Sequence, residues 1–139
     1  MSRAAFFVEG APVGKGRPRV SSGGAYVRTY TPKKTADYEK HVRMRYIAMC
    51  NSTQLNGPLR AEITCVFKIP KSTTKANRER MLRGEILPTV KPDADNIAKT
   101  ILDALNGLAY EDDKQITALK VNKVYGEEPC VNVILEELL

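Results

Sequence analysis

Residues 59–69 alternate apolar and polar side chains more regularly than any other part of the chain. A period of two residues is typical of a β-strand with one buried face. The segment is bounded by Gly-Pro on one side and Pro on the other, which fits a strand that ends in turns. It therefore predicts a sheet, with these apolar residues on its packed face: Leu59, Ala61, Ile63, Cys65, Phe67 and Ile69.

Apolar residues also recur at helical spacing in two segments. The first is residues 33–50, where Thr31 is a candidate N-cap ahead of Pro32, and its apolar positions are Tyr38, Val42, Tyr46 and Met49. The second is residues 94–107, whose apolar side is formed by Ile97, Ala98, Ile101, Leu102, Ala104, Leu105 and Leu108. Residues 72–84, with hydroxyls before helix formers and a terminal glycine, predict a short exposed helix.

Further strands are expected at residues 4–10 and near 26–30. Residues 116–138 contain two alternating runs around Gly-Glu-Glu-Pro, which predicts an antiparallel hairpin. Together the patterns indicate an α+β (mixed α/β) fold, with a mixed sheet of four to five strands packed by two or three helices. The 139 residues, 42% of them hydrophobic, are the size of one domain, so a single domain over residues 1–139 is expected.

The formal net charge is +6, and the first 50 residues hold ten Lys and Arg against three acids. The rest of the chain is close to neutral overall, so cation is concentrated in the first third, which suits a polyanionic partner. The three cysteines have no paired spacing and His41 is the only histidine, which argues against a zinc site. With neither a signal peptide nor a long apolar run in the sequence, we expect a reduced cytoplasmic protein with no membrane partner.

Acidic residues gather in "KPDADNIAKTILDALNGLAYEDDKQI", residues 91–116. Asp93 falls at the predicted helix boundary and Asp95 in its first turn, where aspartates are commonly caps that complement the helix dipole. Asp112 and Asp113 follow the helix. If the chain doubled back along this ~20 Å helix, three carboxylates would converge and repel one another unless a divalent cation joined them. Oxygen ligands without His or Cys favour Mg²⁺, with Mn²⁺ as a substitute.

Lys99 lies one turn beyond Asp95, where an i,i+4 ion pair is the simpler interpretation. In a metal site, Lys99 would instead stabilise charge on a phosphate or orient the attacking water.

The basic segment "GKGRPR", residues 14–19, is not a Walker A loop, so no nucleotide cofactor is expected. It is either a flexible soluble loop or part of a phosphate-contacting surface. Tyr26 and Tyr30 could stack on exposed bases, although half-buried strand aromatics are the commoner case. The candidate DNA-binding residues are Lys15, Arg17, Arg19, Arg28, Lys33 and Lys34.

Taken together, D-x-D-N-x-x-K, D-A-L-N-G and D-D-x-Q-[IV] resemble the signature of the RusA-type Holliday junction resolvases, which are metal-dependent endonucleases. "GKGRPR" and "YTPKKTADYEKHV" are similar to the N-terminal pattern of the phage and Gram-positive branch of that family. The resemblance runs from about Val8 to Val124.

The resemblance implies that Asp93, Asp95 and Asp113 are metal-binding catalytic acids and that Lys99 is the catalytic lysine. Asp112 could share the metal-binding role, since the sequence does not separate the two neighbours. Asn96 and Asp103 also match the family pattern, with helix capping or site support as their expected role.

The implied activity is phosphodiester hydrolysis by a metal-activated water. A homodimer is also implied, and it would cut opposing strands of a two-fold symmetric four-way junction.

Three alternatives remain open at this stage. A metal nuclease for flaps or forks shares the chemistry, and a non-catalytic DNA-binding module would use the aspartates only as caps. A small-molecule phosphohydrolase is weakened by the basic loop, which a small substrate would not need.

Overall fold

The computed structural model describes residues 2–16, 19–21 and 28–139, with only the backbone described for 19–21 and 28–30. The elements follow in chain order: β1 (Arg3–Glu9), β2 (Arg19–Ser21), β3 (Arg28–Tyr30), α1 (Lys33–Cys50), β4 (Leu59–Lys68), α2 (Lys75–Leu82), α3 (Ala94–Ala104), a short 3-10 helix (Asp113–Gln115), β5 (Ile116–Gly126) and β6 (Cys130–Glu137). This arrangement confirms the α+β fold.

Four strands form a mixed sheet in the order β1-β6-β4-β5. β6 is antiparallel to both β1 and β4, whereas β5 runs parallel to β4 and occupies the sheet edge. β2 and β3 form a separate antiparallel pair. The predicted strand near residues 26–30 is thus β3, which begins at Arg28; Tyr26 lies outside the described residues.

The predicted C-terminal hairpin is wrong, because β4 lies between β5 and β6. Residues 127–129 instead carry the chain across the end of β4, where Gly126 passes directly over Val66. A Cβ on Gly126 would lie 2.6 Å from Val66 Cγ1, so this crossing requires a residue without a side chain. The alternation predicted both strands but not their partners, because β5 and β6 each pair with β4 and not with each other.

α1 and α3 cover one face of the sheet and contact each other. The alternation predicted for β4 is confirmed, since all its apolar alternate residues are buried. α1 buries Thr35, Tyr38, Val42 and Tyr46, and the Phe6 and Tyr46 rings meet edge to face with centroids 5.3 Å apart. Met49, the last apolar residue at helical spacing in this segment, is 41% exposed in the last turn of α1.

The helix ends differ in how they are capped. Pro32, not Thr31, occupies the N-cap position of α1, and no side chain caps that helix. The expected hydroxyl cap of α2 is confirmed, because Thr74 Oγ1 accepts a hydrogen bond from Asn77 N. α3 ends at Ala104, three residues before its predicted end, because residues 105–108 form a tight turn with Gly107 at φ 76°. No helix in the described ranges is long and apolar enough to span a membrane.

Candidate active site

The N-terminus of α3 carries two exposed aspartates that the helix does not use for capping. Asp93 occupies the N-cap position with extended backbone, but its side chain makes no capping hydrogen bond. Asp95 lies in the first turn. Neither carboxylate has a hydrogen bond or an ion pair within the described part of the chain. Helix capping, the simplest explanation for this pair in the sequence, therefore does not account for the Asp93 carboxylate.

Asp95, Lys99 and Asp103 follow one another at four-residue spacing along the same side of α3. Lys99 Nζ lies 3.1 Å from Asp103 Oδ1, so its intrahelical ion pair is with Asp103 and not with Asp95. Each step of this row is ~6 Å along the helix axis. The row places a lysine between two acids on an accessible helix surface.

Lys15 fixes the basic loop against both long helices. Its Nζ lies 2.9 Å from Glu39 Oε2 on α1 and 3.2 Å from Asp103 Oδ2 on α3. Burial alone would lower the pKa of Lys15, but the hydrogen bonds to Glu39 and Asp103 outweigh burial and raise it. The Lys15 ammonium thus neutralises part of the acidic row from the side of the loop.

The chain doubles back after α3 through the turn at residues 105–110. Tyr110, which is fully buried, donates its hydroxyl to Leu102 O at 2.6 Å, and Gly107 N donates to Tyr110 O at 2.9 Å. Beyond this anchor, Asp113 N donates to Asn106 Oδ1 at 2.8 Å. These contacts bring the second acidic cluster, Asp112 and Asp113, beside the end of α3. The expected convergence of this cluster with Asp93 and Asp95 stays a prediction.

Asp112 and Asp113 have different environments although they are adjacent. Asp112 caps the 3-10 helix: its Oδ1 accepts from Lys114 N at 2.9 Å, and its own N–H donates to Gln115 Oε1. The Lys114 N–H and a hydrogen bond from Asp113 lower the pKa of Asp112.

Desolvation raises the pKa of Asp113, with further contributions from the hydrogen bond to Asp112 and from the Asp112 and Asp103 charges, while Lys99 opposes them. The Asp113 carboxyl therefore interacts electrostatically with Asp103 and Lys99 on α3, whereas the Asp112 carboxylate is occupied by capping.

The carboxylates of this region suit a hard divalent cation in chemistry, since all the donors are oxygens. After desolvation, the neighbouring Asp112 and Asp103 carboxylates help to raise the pKa of Asp113, and a cation would offset their repulsion. Within the residues described, however, no three His, Cys, Asp or Glu side chains approach closely enough to enclose an ion. The donor set fits Mg²⁺ or Mn²⁺, and the side chains stand apart around Lys99.

A groove of about 800 Å³ opens beside Asp93. Its walls come from three separate parts of the chain, which contribute Pro12, Val13, Gly14, Lys15, Gly16, Pro32, Lys34, Thr35, Lys91, Pro92, Asp93 and Asn96. Lys34 and Lys91 are both exposed. The groove therefore has two exposed lysines next to the Asp93 carboxylate, which makes no capping hydrogen bond.

Two glycines allow the walls of this groove to approach each other. A Cβ on Gly14 would lie 2.9 Å from Pro92 Cβ, and one on Gly16 would lie 2.8 Å from Thr35 Oγ1. Two backbone N–H groups hold the same segments together: Lys15 N donates to Asn96 O, and Gly16 N donates to the Thr35 hydroxyl oxygen. Gly14 and Gly16 are therefore required for close packing of the groove walls, and Lys15 between them adds a positive charge.

The remaining candidate DNA-binding residues are described only in part. Lys33 is exposed and pairs with Asp37 within α1. Arg17 lies outside the described residues, and the structure gives only the backbone of Arg19 and Arg28. Their assignment to a DNA-contacting surface stays a prediction.

Three residues without a role in the sequence analysis contribute to this region. Asn106 holds the backbone of Asp113, and Arg43 Nη1 donates to Ala104 O and Asn106 O at the end of α3. Lys91 lines the groove. The Asn-Gly pair at 106–107 signals a turn, but only the folded turn shows that the asparagine side chain reaches Asp113.

Exposed carboxylates beside a cationic groove are typical of enzymes that hydrolyse phosphate esters with metal ions. Comparison with known proteins narrows this class. The family model "Endodeoxyribonuclease RusA" matches residues 9–136, and the chain therefore belongs to the RusA family of endodeoxyribonucleases. The chain is also 38% identical over 135 residues to the uncharacterized protein YqaN of Bacillus subtilis (strain 168), covering 96% of this chain and 95% of that protein.

Proposed function

We propose that this chain is a Mg²⁺-dependent nuclease that resolves four-way DNA junctions by paired, symmetric phosphodiester hydrolysis as a homodimer. The observation that carries the proposal is the exposed Asp93 carboxylate, which makes no capping hydrogen bond and lies beside a groove lined by Lys34 and Lys91. A helix-capping role leaves this arrangement unexplained. Membership of the RusA family supports branched DNA as the substrate.

Asp93, Asp95 and Asp113 would hold the metal ion. Asp112 is less suited, because its carboxylate already accepts the Lys114 N–H and closes the 3-10 helix. When bound, Mg²⁺ would supply a nucleophile near neutral pH and neutralise charge on the phosphate and the leaving 3′ oxygen. Since no three acids in the described ranges lie close enough to enclose an ion, we expect metal and DNA together to draw these side chains closer.

Lys99 would stabilise the charge that develops on the scissile phosphate. Its 60% exposed side chain lies between Asp95 and Asp103, and the pairing with Asp103 keeps it on the accessible side of α3. Lys34 and Lys91 would contact phosphates of the strand that enters the groove, which makes binding salt dependent. The expected cellular compartment is the cytoplasm, where the reduced cysteines would persist.

A nuclease for flaps or forks is the second candidate, because the groove beside Asp93 would admit a strand from any branched DNA. A non-catalytic module is weaker, since it gives Asp93 and Asp95 no function. A flap nuclease differs from a resolvase in the DNA that it cleaves, and a non-catalytic module differs in releasing no cleavage product.

The test is cleavage of labelled four-way junctions, flaps and linear duplexes of matched sequence, with and without Mg²⁺. We expect symmetric cuts in opposing strands of the junction only, and only with metal. Asp95→Asn should lose cleavage while still binding the junction. Glu79→Gln, which removes an exposed acid on α2 that does not line the groove, is the matched control and should cleave normally.

Metal binding is measured separately as a rise in the unfolding midpoint, since a ligand of the native state must stabilise it. The rise should be smaller in Asp95→Asn and unchanged in Glu79→Gln. Preferential cleavage of flaps would favour a flap nuclease over a junction resolvase as the function of this chain. Tight junction binding with neither cleavage nor a metal-dependent midpoint would favour the non-catalytic module.

A further inference from the structure

Lys99 lies between two acids of α3 with which a lysine at this position can form an ion pair. Asp95 precedes it by four residues and Asp103 follows it by four residues. In an isolated helix, the order with the acid before the lysine is the more favourable of the two. The structure contains the other pair, with Lys99 Nζ 3.1 Å from Asp103 Oδ1. A contact from outside the helix must therefore favour Asp103.

That contact comes from the loop that precedes β2. Asp103 Oδ2 lies 3.2 Å from Lys15 Nζ, which in turn lies 2.9 Å from Glu39 Oε2 on α1. The Lys15 backbone N–H also donates to Asn96 O, so the loop is joined to α3 at two points. The Asp103 and Glu39 side chains are each 18% exposed, whereas the Lys99 side chain is 60% exposed. Asp103 is therefore the fixed member of its pair with Lys99.

The fixed position of Asp103 explains why it is the partner of Lys99. An ion pair costs side-chain entropy, and this cost is lower when one of the two side chains is already held in place. Asp95, in contrast, is exposed in the first turn of α3. Each carboxylate oxygen of Asp103 contacts one lysine, so Asp103 itself has no oxygen left over for a metal ion.

We propose that Asp103 is a positioning residue that diverts Lys99 from Asp95 and so leaves the Asp95 carboxylate free to bind a divalent cation. This inference rests on the proposed function, in which Asp95 is a metal ligand. An ammonium paired with Asp95 would occupy the oxygens that the cation needs and would have to be displaced before the cation could bind. Lys15 and Glu39 contribute by holding Asp103 in place.

The experiment measures Mg²⁺ affinity by titration calorimetry of the full-length chain without DNA. Four proteins form a double-mutant cycle: the unaltered chain, Asp103→Asn, Lys99→Met and the variant with both substitutions. Asp103→Asn should weaken Mg²⁺ binding about two- to fivefold, the range for an exposed ion pair that the cation must break. In the Lys99→Met background, the same substitution should change the affinity by less than about 1.5-fold, because no ammonium then competes for Asp95.

Three further variants serve as controls. Asp37→Asn removes the acid of the Lys33–Asp37 pair, which has the same order and spacing on α1, and should leave Mg²⁺ affinity unchanged. Asp103→Glu keeps the charge and should retain most of the affinity. Lys99→Met alone should raise the affinity by less than about twofold, since Lys99 is already diverted from Asp95 and charges further away are screened by salt. Circular dichroism checks that each variant is folded.

Two results would overturn the inference. An equal loss of Mg²⁺ affinity from Asp103→Asn in both backgrounds would mean that Asp103 acts through its own charge and not through Lys99. A large gain in affinity from Lys99→Met alone would mean that Lys99 competes with the cation even when Asp103 is present. The second result needs no substitution of Asp103, so it decides the question even if Asp103→Asn fails to fold.

The Mg²⁺ dependence of junction cleavage distinguishes positioning from a general structural defect. Asp103→Asn should need about two- to fivefold more Mg²⁺ for half-maximal cleavage, and saturating Mg²⁺ should restore most of the rate, because the cation then displaces Lys99 from Asp95. A structural defect would instead lower the rate at every Mg²⁺ concentration, and that result would also overturn the inference.

Calorimetry and cleavage together separate this inference from the proposed function. If the unaltered chain bound Mg²⁺ but cleaved no branched DNA, the proposed function would fail, while the double-mutant cycle would still decide the role of Asp103. If the unaltered chain cleaved four-way junctions and Asp103→Asn changed neither Mg²⁺ affinity nor the Mg²⁺ dependence of cleavage, only the inference would fail. An unaltered chain that bound no Mg²⁺ would overturn both.

Discussion

The two acidic clusters at the candidate site are held in opposite ways. The Asp93 and Asp95 carboxylates have no hydrogen-bond partner in the described part of the chain. In the second cluster, the Asp112 carboxylate accepts from Lys114 N, and the backbone N–H groups of Asp112 and Asp113 donate to the side-chain oxygens of Gln115 and Asn106. Groups that are already paired cost less entropy to keep in place. Half of the site is thus positioned by the fold, and the other half is free to move towards a ligand.

This difference predicts that the free pair affects activity without affecting stability. In Asp93→Asn we expect junction cleavage to fall by at least ~10²-fold, the scale for removing one group that stabilises developing charge. The free energy of unfolding should change by less than ~0.5 kcal/mol, as for ordinary surface substitutions. Single-turnover cleavage and urea unfolding measure the two effects. Full cleavage in this variant would remove Asp93 from the site.

The fixed pair, Asp112 and Asp113, should lose its position when Asn106, which holds the Asp113 backbone, is substituted. Asn106→Ala removes the acceptor of the Asp113 N–H, so we expect cleavage to fall by ~10- to 100-fold, as for groups that orient metal ligands. Stability should also fall, by about 1 kcal/mol for the lost hydrogen bond. Asn77→Ala, on the exposed helix α2, is the control and should change neither cleavage nor stability by these amounts. A variant that lost stability but cleaved normally would show that the Asn106 contact does not position a catalytic group.

The sequence predicted the parts of this site that depend on local pattern. The alternation in β4 and the apolar side of α3 were recognisable because each is repeated along one element. The pairing of β5 and β6 with β4 was not recognisable, because several strands alternate in the same way and the pattern does not show which of them pair. The role of Asn106 was also not predictable, because its contact with Asp113 depends on the folded shape of the turn that the buried Tyr110 hydrogen bond holds.

Asp112 separates capping from catalysis within the fixed pair. Asp112→Ala removes the acceptor of the Lys114 N–H, so we expect a lower unfolding midpoint but a smaller loss of cleavage than in Asn106→Ala. Folding lowers the pKa of Asp112, so its contribution to stability is present above the ordinary value of 3.8 and is lost as the pH falls through the folded value. The difference in midpoint between Asp112→Ala and the unaltered chain should therefore close in acid. A loss of cleavage as large as that in Asp93→Asn would instead make Asp112 a metal ligand.

Lys15 gives the smallest expected effect and tests how the loop is joined to the acidic row. Lys15→Met removes the ion pairs with Glu39 and Asp103, in which the Lys15 side chain is 21% exposed. We expect a loss of about 0.5–1 kcal/mol, near the upper end for exposed pairs. Because folding raises the pKa of Lys15, its contribution is present below the ordinary value of 10.5 and is lost as the pH rises through the folded value.

Urea unfolding at about pH 8 and about pH 11 measures that change for Lys15→Met and for Lys33→Met. Lys33 pairs with Asp37 at 91% and 65% exposure, so Lys33→Met should have a smaller effect at the lower pH. Equal effects from the two lysines would mean that Lys15 does not hold the loop. In that case its ammonium would be available for phosphate contacts, like those expected of Lys34, and Lys15→Met should then weaken the salt dependence of junction binding by about one phosphate contact.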